Sequence, residues 1–206
     1  MRLGILVSGR GSNLEAVLDA IADGSLPAIE AVLVIANRPG IRALEVAARR
    51  GVPWRVLTLG GFASVDARDG AIGGALTDAG CDLALLAGYD RLLRAPYFAA
   101  YAGRTINIHP SLLPRHGGPG MLGLAVHAAV LAAGEVETGV TIHDVTPALD
   151  AGPAILQCRV PVLPGDSPAD LADRVLAVEH RVLVEVLAEL SGSMTAASPA
   201  PIRARR

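Results

Sequence analysis

Arg2–Leu14, R-L-G-I-L-V-S-G-R-G-S-N-L, is the stretch that decides the fold. Arg2–Val7 is a short apolar run ending in a Gly/Ser loop, which predicts a buried strand rather than a helix. Gly9 and Gly11 then allow a tight turn, and a helix is predicted from about Asn13 to Asp23. A buried strand delivering through glycines into a helix is the opening of a βα unit.

Outward from that unit, apolar runs and amphipathic stretches keep alternating. Strands are predicted at Ile29–Ala36, Trp54–Leu59, Leu83–Leu86 and Thr105–His109. Helices are predicted over Arg42–Arg50, Val65–Ala79 and Leu92–Tyr101, the last after Pro96. The rhythm implies an α/β fold, a doubly wound and mostly parallel sheet with helices on both faces. The second half changes character. Arg115–Gly123 is rich in Gly and Pro and reads as a mobile loop before a helix at Leu124–Ala133. Gly139–Val145 and Ala154–Val162 read as strands joined by a turn at Asp150–Pro153. Asp166 or Ser167 then caps a helix to about Leu190. Residues 1–190 are expected to form one domain and Ser191–Arg206, without periodicity, a disordered tail.

Composition removes several function classes. The 18 basic residues are all arginine, so neither a Schiff-base lysine nor a Walker lysine exists. A net charge of −2, with no basic block before the tail, argues against nucleic acid as the main partner. No apolar run approaches the roughly 18 residues of a membrane span, and the first residues read as a strand rather than a signal peptide. A cytoplasmic location is expected. Cys81 and Cys158 lie far apart in apolar segments and read as core residues, and no metal site is expected.

Three motifs carry chemistry. In S-G-R-G-S-N-L (Ser8–Leu14) the free amides and dipole of a helix start make an anion or phosphate site, although a purely geometric turn is the alternative. A dinucleotide fingerprint fails, because Leu14 stands where its third glycine belongs and the second strand leads to Asn37 rather than an acid. In N-I-H-P-S-L-L-P (Asn107–Pro114), Asn107 and His109 leave one face of a strand that Pro110 ends, at the carboxyl edge of the sheet. An amide donor beside an imidazole suits acyl transfer. In L-D-A-G-P (Leu149–Pro153), Asp150 is either a turn former or a carboxylate that orients His109 and raises its pKa. No serine or cysteine nucleophile is apparent, so direct transfer is favoured over a covalent enzyme intermediate.

These motifs, with L-A-G-Y-D-R-L-L at Leu86–Leu93, resemble in order and spacing those of the glycinamide ribonucleotide formyltransferase family, over about residues 1–190. The resemblance implies formyl transfer from 10-formyltetrahydrofolate to the amine of glycinamide ribonucleotide, through a tetrahedral intermediate and without a metal. It implies that Gly11, Ser12 and Asn13 hold the substrate phosphate and that Asn107, His109 and Asp150 are the catalytic trio. It further implies that Asp90, Arg91, Leu92 and Leu93, with Asn107, bind the folate, and that Glu179 binds the ribose or glycinamide part of the substrate. His143 would support the site rather than carry a proton, His127 would pack nearby, and His180 would lie on the helix surface.

Two departures stand out. Arg115–Gly123 is longer than the short form of this loop, so His116 receives no role. A family arginine beside the folate aligns with Val65, leaving Arg68, one turn on, as either its substitute or an ordinary surface residue. Within the wider superfamily, a methionyl-tRNA formyltransferase would need a C-terminal tRNA-binding domain, for which the residues after 190 are too few. A formyltetrahydrofolate hydrolase would carry an N-terminal regulatory domain ahead of the first strand. A non-catalytic folate or phosphate-ligand binding module is the alternative outside the enzymes, and a monomer or homodimer is left open.

Overall fold

The computed structural model describes residues 1–192 and, as backbone, 193 and 203–205. The sheet is built from β1 (Arg2–Val7), β2 (Glu30–Ala36), β3 (Trp54–Val56), β4 (Leu83–Leu86), β5 (Arg104–His109), β6 (Glu137–Asp144), β7 (Ala154–Pro161) and β8 (Arg203–Arg205). Their order is β3-β2-β1-β4-β5-β6-β7-β8. β1 to β5 pair in parallel, whereas β6 runs antiparallel to both β5 and β7. This is the expected mostly parallel α/β fold.

Helices cover both faces because the parallel strands are apolar on both sides. One core joins Leu3, Ile5 and Val7 of β1 to helices α1 (Ser12–Ala22), α2 (Arg42–Arg49), α5 (Leu124–Ala132) and α6 (Pro168–Ser193). The other joins Leu6 and Ile35 to α3 (Val65–Asp78) and α4 (Ala95–Ala100), where Ile72, Leu76 and Tyr97 are fully buried. The chain winds outward from β1 to β3, then returns to place β4 on the other side of β1. That reversal opens a crevice at the carboxyl ends of β1 and β4, where ligands of open α/β sheets bind.

Three expectations about elements change. The third strand stops at Val56, and the last residue of the predicted strand, Leu59, instead opens a 3₁₀ turn over Leu59–Gly61. The last helix continues past the predicted end at Leu190 to Ser193, with Ser191 still buried. Within the expected tail, Arg203–Arg205 pairs in parallel with β7 at Leu156–Cys158, while 194–202 and 206 lie outside the described residues. Among the described residues, no helix is long and apolar enough to cross a membrane.

Candidate active site

The carboxyl ends of β1, β4 and β5 open into one cavity of about 470 Å³. Its floor begins at the Ser8–Asn13 turn. Gly11 caps α1 in the left-handed region, at φ 76°. A Cβ there would also sit 2.8 Å from the Ala43 backbone, so the glycine is needed for packing as well as for the turn. The turn is thus required by geometry, and Gly11, Ser12 and Asn13 at the start of α1 line the cavity. Glu179 faces this turn from α6 and accepts a hydrogen bond from Asn13 Nδ2 at 3.3 Å. Burial pushes its carboxyl up to about 7, the Asn13 bond opposing. Asn13 Oδ1 is buried without a hydrogen-bond partner, a polar atom still awaiting one.

Asp90–Leu93 follows β4 and forms the next wall. Ser8 Oγ accepts a hydrogen bond from the Asp90 amide at 3.0 Å, tying this wall to the turn after β1. The Asp90 side chain takes bonds from Asn37 Nδ2 (2.6 Å) and Arg38. Burial alone would raise its pKa, but those bonds hold it below the usual carboxylate range. Leu93 packs in the core while Leu92 stays exposed at the cavity, as do Leu122 and Leu149.

Arg68 fits neither expectation. It is only 4% exposed and does not line the cavity, its guanidinium donating from Nε (2.9 Å) and Nη2 (2.6 Å) to fully buried Asp69. Asp69 also accepts the Arg94 amide at 2.9 Å, so the pair braces the segment that follows the Asp90–Leu93 wall.

At the far end, β5 and β6 bring three groups together. Asn107 lies opposite His143 in the sheet and donates from Nδ2 to His143 Nε2 at 3.1 Å. His143 Nδ1 in turn donates to the Asp144 carbonyl at 2.9 Å, which fixes its tautomer and leaves Asn107 one amide hydrogen for the cavity. Asp150 sits in a left-handed conformation at φ 51°. Gly152 makes this turn possible, since a Cβ there would lie 1.7 Å from the Asp144 carbonyl oxygen. Asp150 Oδ2 is 3.9 Å from His109 Nδ1 and Oδ1 is 3.8 Å from His143 Nε2, beyond a hydrogen bond but near enough to stabilise an imidazolium.

Two expectations here are corrected. Asp150 does not keep His109 charged: burial dominates and lowers the imidazole pKa, with the His116 carbonyl and Asp150 opposing and His143 adding to the fall. His116, assigned no role, supplies the carbonyl that His109 Nε2 contacts at 2.9 Å. The loop expected to be mobile is tied down at this end, where Ser111 Oγ donates to the Arg115 carbonyl (2.7 Å) and the Gly118 amide donates to Asp150 Oδ2 (2.8 Å). Composition hid these contacts, because they run through backbone atoms. His127 lines the cavity with Nδ1 unpartnered, its pKa lowered by burial and then by His109. His180, expected on the surface, is half-buried and outside the cavity lining. Among the described residues, no group of His, Cys, Asp or Glu side chains could hold a metal ion.

An open α/β sheet whose crevice holds a glycine turn and helix start at one end and an Asn–His–Asp group at the other is an arrangement suited to group transfer. Residues 1–187 match the formyl transferase family, to which the chain belongs. Phosphoribosylglycinamide formyltransferase of Escherichia coli (strain K12) is 37% identical over 182 residues, covering 88% of this chain and 83% of that protein. The crystal structure of glycinamide ribonucleotide transformylase 1 from Symbiobacterium toebii superposes with a TM-score of 0.87 at 40% identity, covering 94% of this chain and 88% of that one. The trifunctional purine biosynthetic protein adenosine-3 of Drosophila melanogaster is 41% identical over 200 residues, 96% of this chain. The chain spans only 14% of that relative's length.

Proposed function

We propose that the chain transfers the formyl group of 10-formyltetrahydrofolate to the amine of glycinamide ribonucleotide, a step of purine biosynthesis. The observation that carries this reading is one cavity lined at one end by Gly11, Ser12, Asn13 and Glu179 and at the other by Asn107, His109 and Asp150. The first end suits a ribose phosphate, and a carboxyl titrating near neutrality can both donate to and accept from ribose hydroxyls. The wall between, with apolar Leu92, Leu122 and Leu149 beside backbone polar groups of Asp90–Leu93, suits a flat heteroaromatic ring.

The folate supplies the formyl group and the nitrogen that leaves. Asn107 directs its remaining amide hydrogen at the formyl oxygen, which becomes negative as the amine attacks. His109 is neutral at the outset, with Nε2–H donated to the His116 carbonyl and the Nδ1 lone pair free. Nδ1 accepts the proton that the amine loses and returns it to the leaving nitrogen. Asp150, 3.9 Å from Nδ1, favours the imidazolium formed between those two events. Two ligands held in one cavity convert a bimolecular step into an intramolecular one.

A coupled assay with glycinamide ribonucleotide and 10-formyltetrahydrofolate tests the proposal. Formylated product with loss of the folate's formyl group is expected. Formate release without product would assign a hydrolase, and binding of both ligands without turnover a binding module.

A further inference from the structure

Glu135 stands outside every motif, in the turn after α5, yet it holds both residues at the start of the longer loop. Its Oε2 accepts from Arg115 at 2.8 Å and its Oε1 faces His116 Nε2 at 3.3 Å. The carboxylate is about one-fifth exposed. The same few residues reach the candidate acid–base pair from the other side. The His116 carbonyl meets His109 Nε2, and the Gly118 amide meets Asp150 Oδ2. Between them Gly117 packs so closely that a Cβ would approach Leu113 Cδ2 to 2.5 Å and Asp150 Cβ to 3.4 Å.

From this arrangement we infer that Glu135 is a positioning residue for the transfer reaction. By clamping Arg115 and His116 it holds the His116 carbonyl on His109 Nε2, and so selects Nδ1 as the nitrogen that exchanges a proton. The inference rests on the proposed role of His109 and asks what sets its tautomer.

The chemistry is specific. A carbonyl only accepts, so a ring held against it must carry its proton on Nε2, leaving the Nδ1 lone pair beside Asp150. Without the carbonyl, the Asp150 carboxylate beside Nδ1 favours a proton there, and a fraction of the rings present N–H where a base is required. His116 itself has φ 54°, a left-handed conformation that a non-glycine residue holds at some cost, and the contact to Glu135 secures it. The other titratable groups around His109 are Asp150 on the β6–β7 turn, His143 on β6 and His127 on α5. None of them contacts Nε2 within hydrogen-bond distance.

The test compares Glu135→Ala with Glu137→Ala in the full chain. Glu137 is a control carboxylate paired with Arg159 on the surface. Turnover, both KM values, the pH profile of kcat, and ¹⁵N NMR of the His109 ring (assigned with His109→Gln) are measured. Glu135→Ala is expected to lower kcat about tenfold with both KM values within about twofold. Its acid limb should move to lower pH, because the lost carbonyl had favoured the imidazolium, and Nδ1–H signal should appear in the neutral ring. Glu137→Ala should match the unmodified protein in every readout. Should Glu135→Ala fold poorly, Glu135→Gln, which keeps the volume and one acceptor, is expected to show the same changes at smaller size. An unchanged tautomer, or an unchanged pH profile, overturns the inference even if kcat falls. The reading beneath it fails separately: turnover surviving His109→Ala would remove His109 from the chemistry, while the tautomer measurement would still report whether Glu135 holds the ring.

Discussion

The two ends of the cavity are built in different ways. The Ser8–Asn13 end is fixed by the sheet itself: β1 and β4 are parallel and buried apart from Arg2, and Gly11 is wedged against Ala43 of α2. The Asn107–Asp150 end is assembled from β5, an antiparallel β6, a left-handed turn and a loop held by polar contacts. Apolar packing is non-directional and tolerant, whereas a polar assembly depends on each partner being present. Substitutions at the first end should therefore act on stability and on binding, and those at the second on turnover.

The largest effect is expected at the second end. Asp150→Asn keeps an acceptor for the Gly118 amide but loses the charge that favours the imidazolium, so kcat should fall by roughly 10²–10⁴-fold with affinities little changed. His109→Ala should cost about as much, and the double variant little more than either alone, because the two act as a unit. Losses that simply multiply in a double-mutant cycle on kcat would break the pairing.

Gly11→Ala comes next, and its signature should be stability rather than kcat. The added methyl meets Ala43 backbone at 2.8 Å at a positive φ, so a loss of roughly 2–4 kcal/mol is expected. Urea unfolding with and without inorganic phosphate checks it. Loss of phosphate protection with wild-type stability would mean that the turn is held by its ligand rather than by α2.

Glu179 sharpens the comparison through pH. Its folded pKa, about 7, lies above the unfolded value near 4.5, so its contribution is fully present below pH 4.5 and is lost as pH rises through 7. The span corresponds to roughly 2–4 kcal/mol. Glu179→Gln should flatten the dependence of Tm on pH between 4.5 and 8 and raise KM for the ribonucleotide. A Tm profile identical to that of the unmodified chain would show that Glu179 titrates as an ordinary carboxylate.

The first end was the more legible of the two in the sequence. The periods of 2 and 3.6 and the glycine turn carry backbone information directly, so β1, α1 and a mostly parallel sheet followed from residue types, whereas the strand order did not. Asn107, His109 and Asp150 were recognisable as a set, but their geometry was not. The net shift of His109 depends on how deeply the ring is buried, and no motif encodes burial. Arg68 was misplaced for a related reason: its partner is its own neighbour, Asp69, an adjacency that reads as surface charge until α4 is packed above it. The bracing by His116 runs through a carbonyl that every residue type possesses.

The smallest effect is expected where the two walls of the first end meet. Ser8 is 6% exposed, and its Oγ takes the Asp90 amide at 3.0 Å, one side chain spanning the turn after β1 and the segment after β4. Ser8→Ala removes the acceptor without changing the strand, leaving a part-buried N–H unsatisfied at a cost of about 1 kcal/mol. Asn37 and Arg38 still hold the Asp90 side chain, so the segment should shift rather than detach. On the proposed ligand assignment, KM for the folate should rise by about fivefold while KM for the ribonucleotide, gripped by amides on the other side of the turn, changes by less than about twofold. Equal increases for both would mean that the two walls move as one body through Ser8, and that the cavity has one rigid end rather than two separable surfaces. Steady-state kinetics with each ligand varied at saturation of the other distinguishes these outcomes.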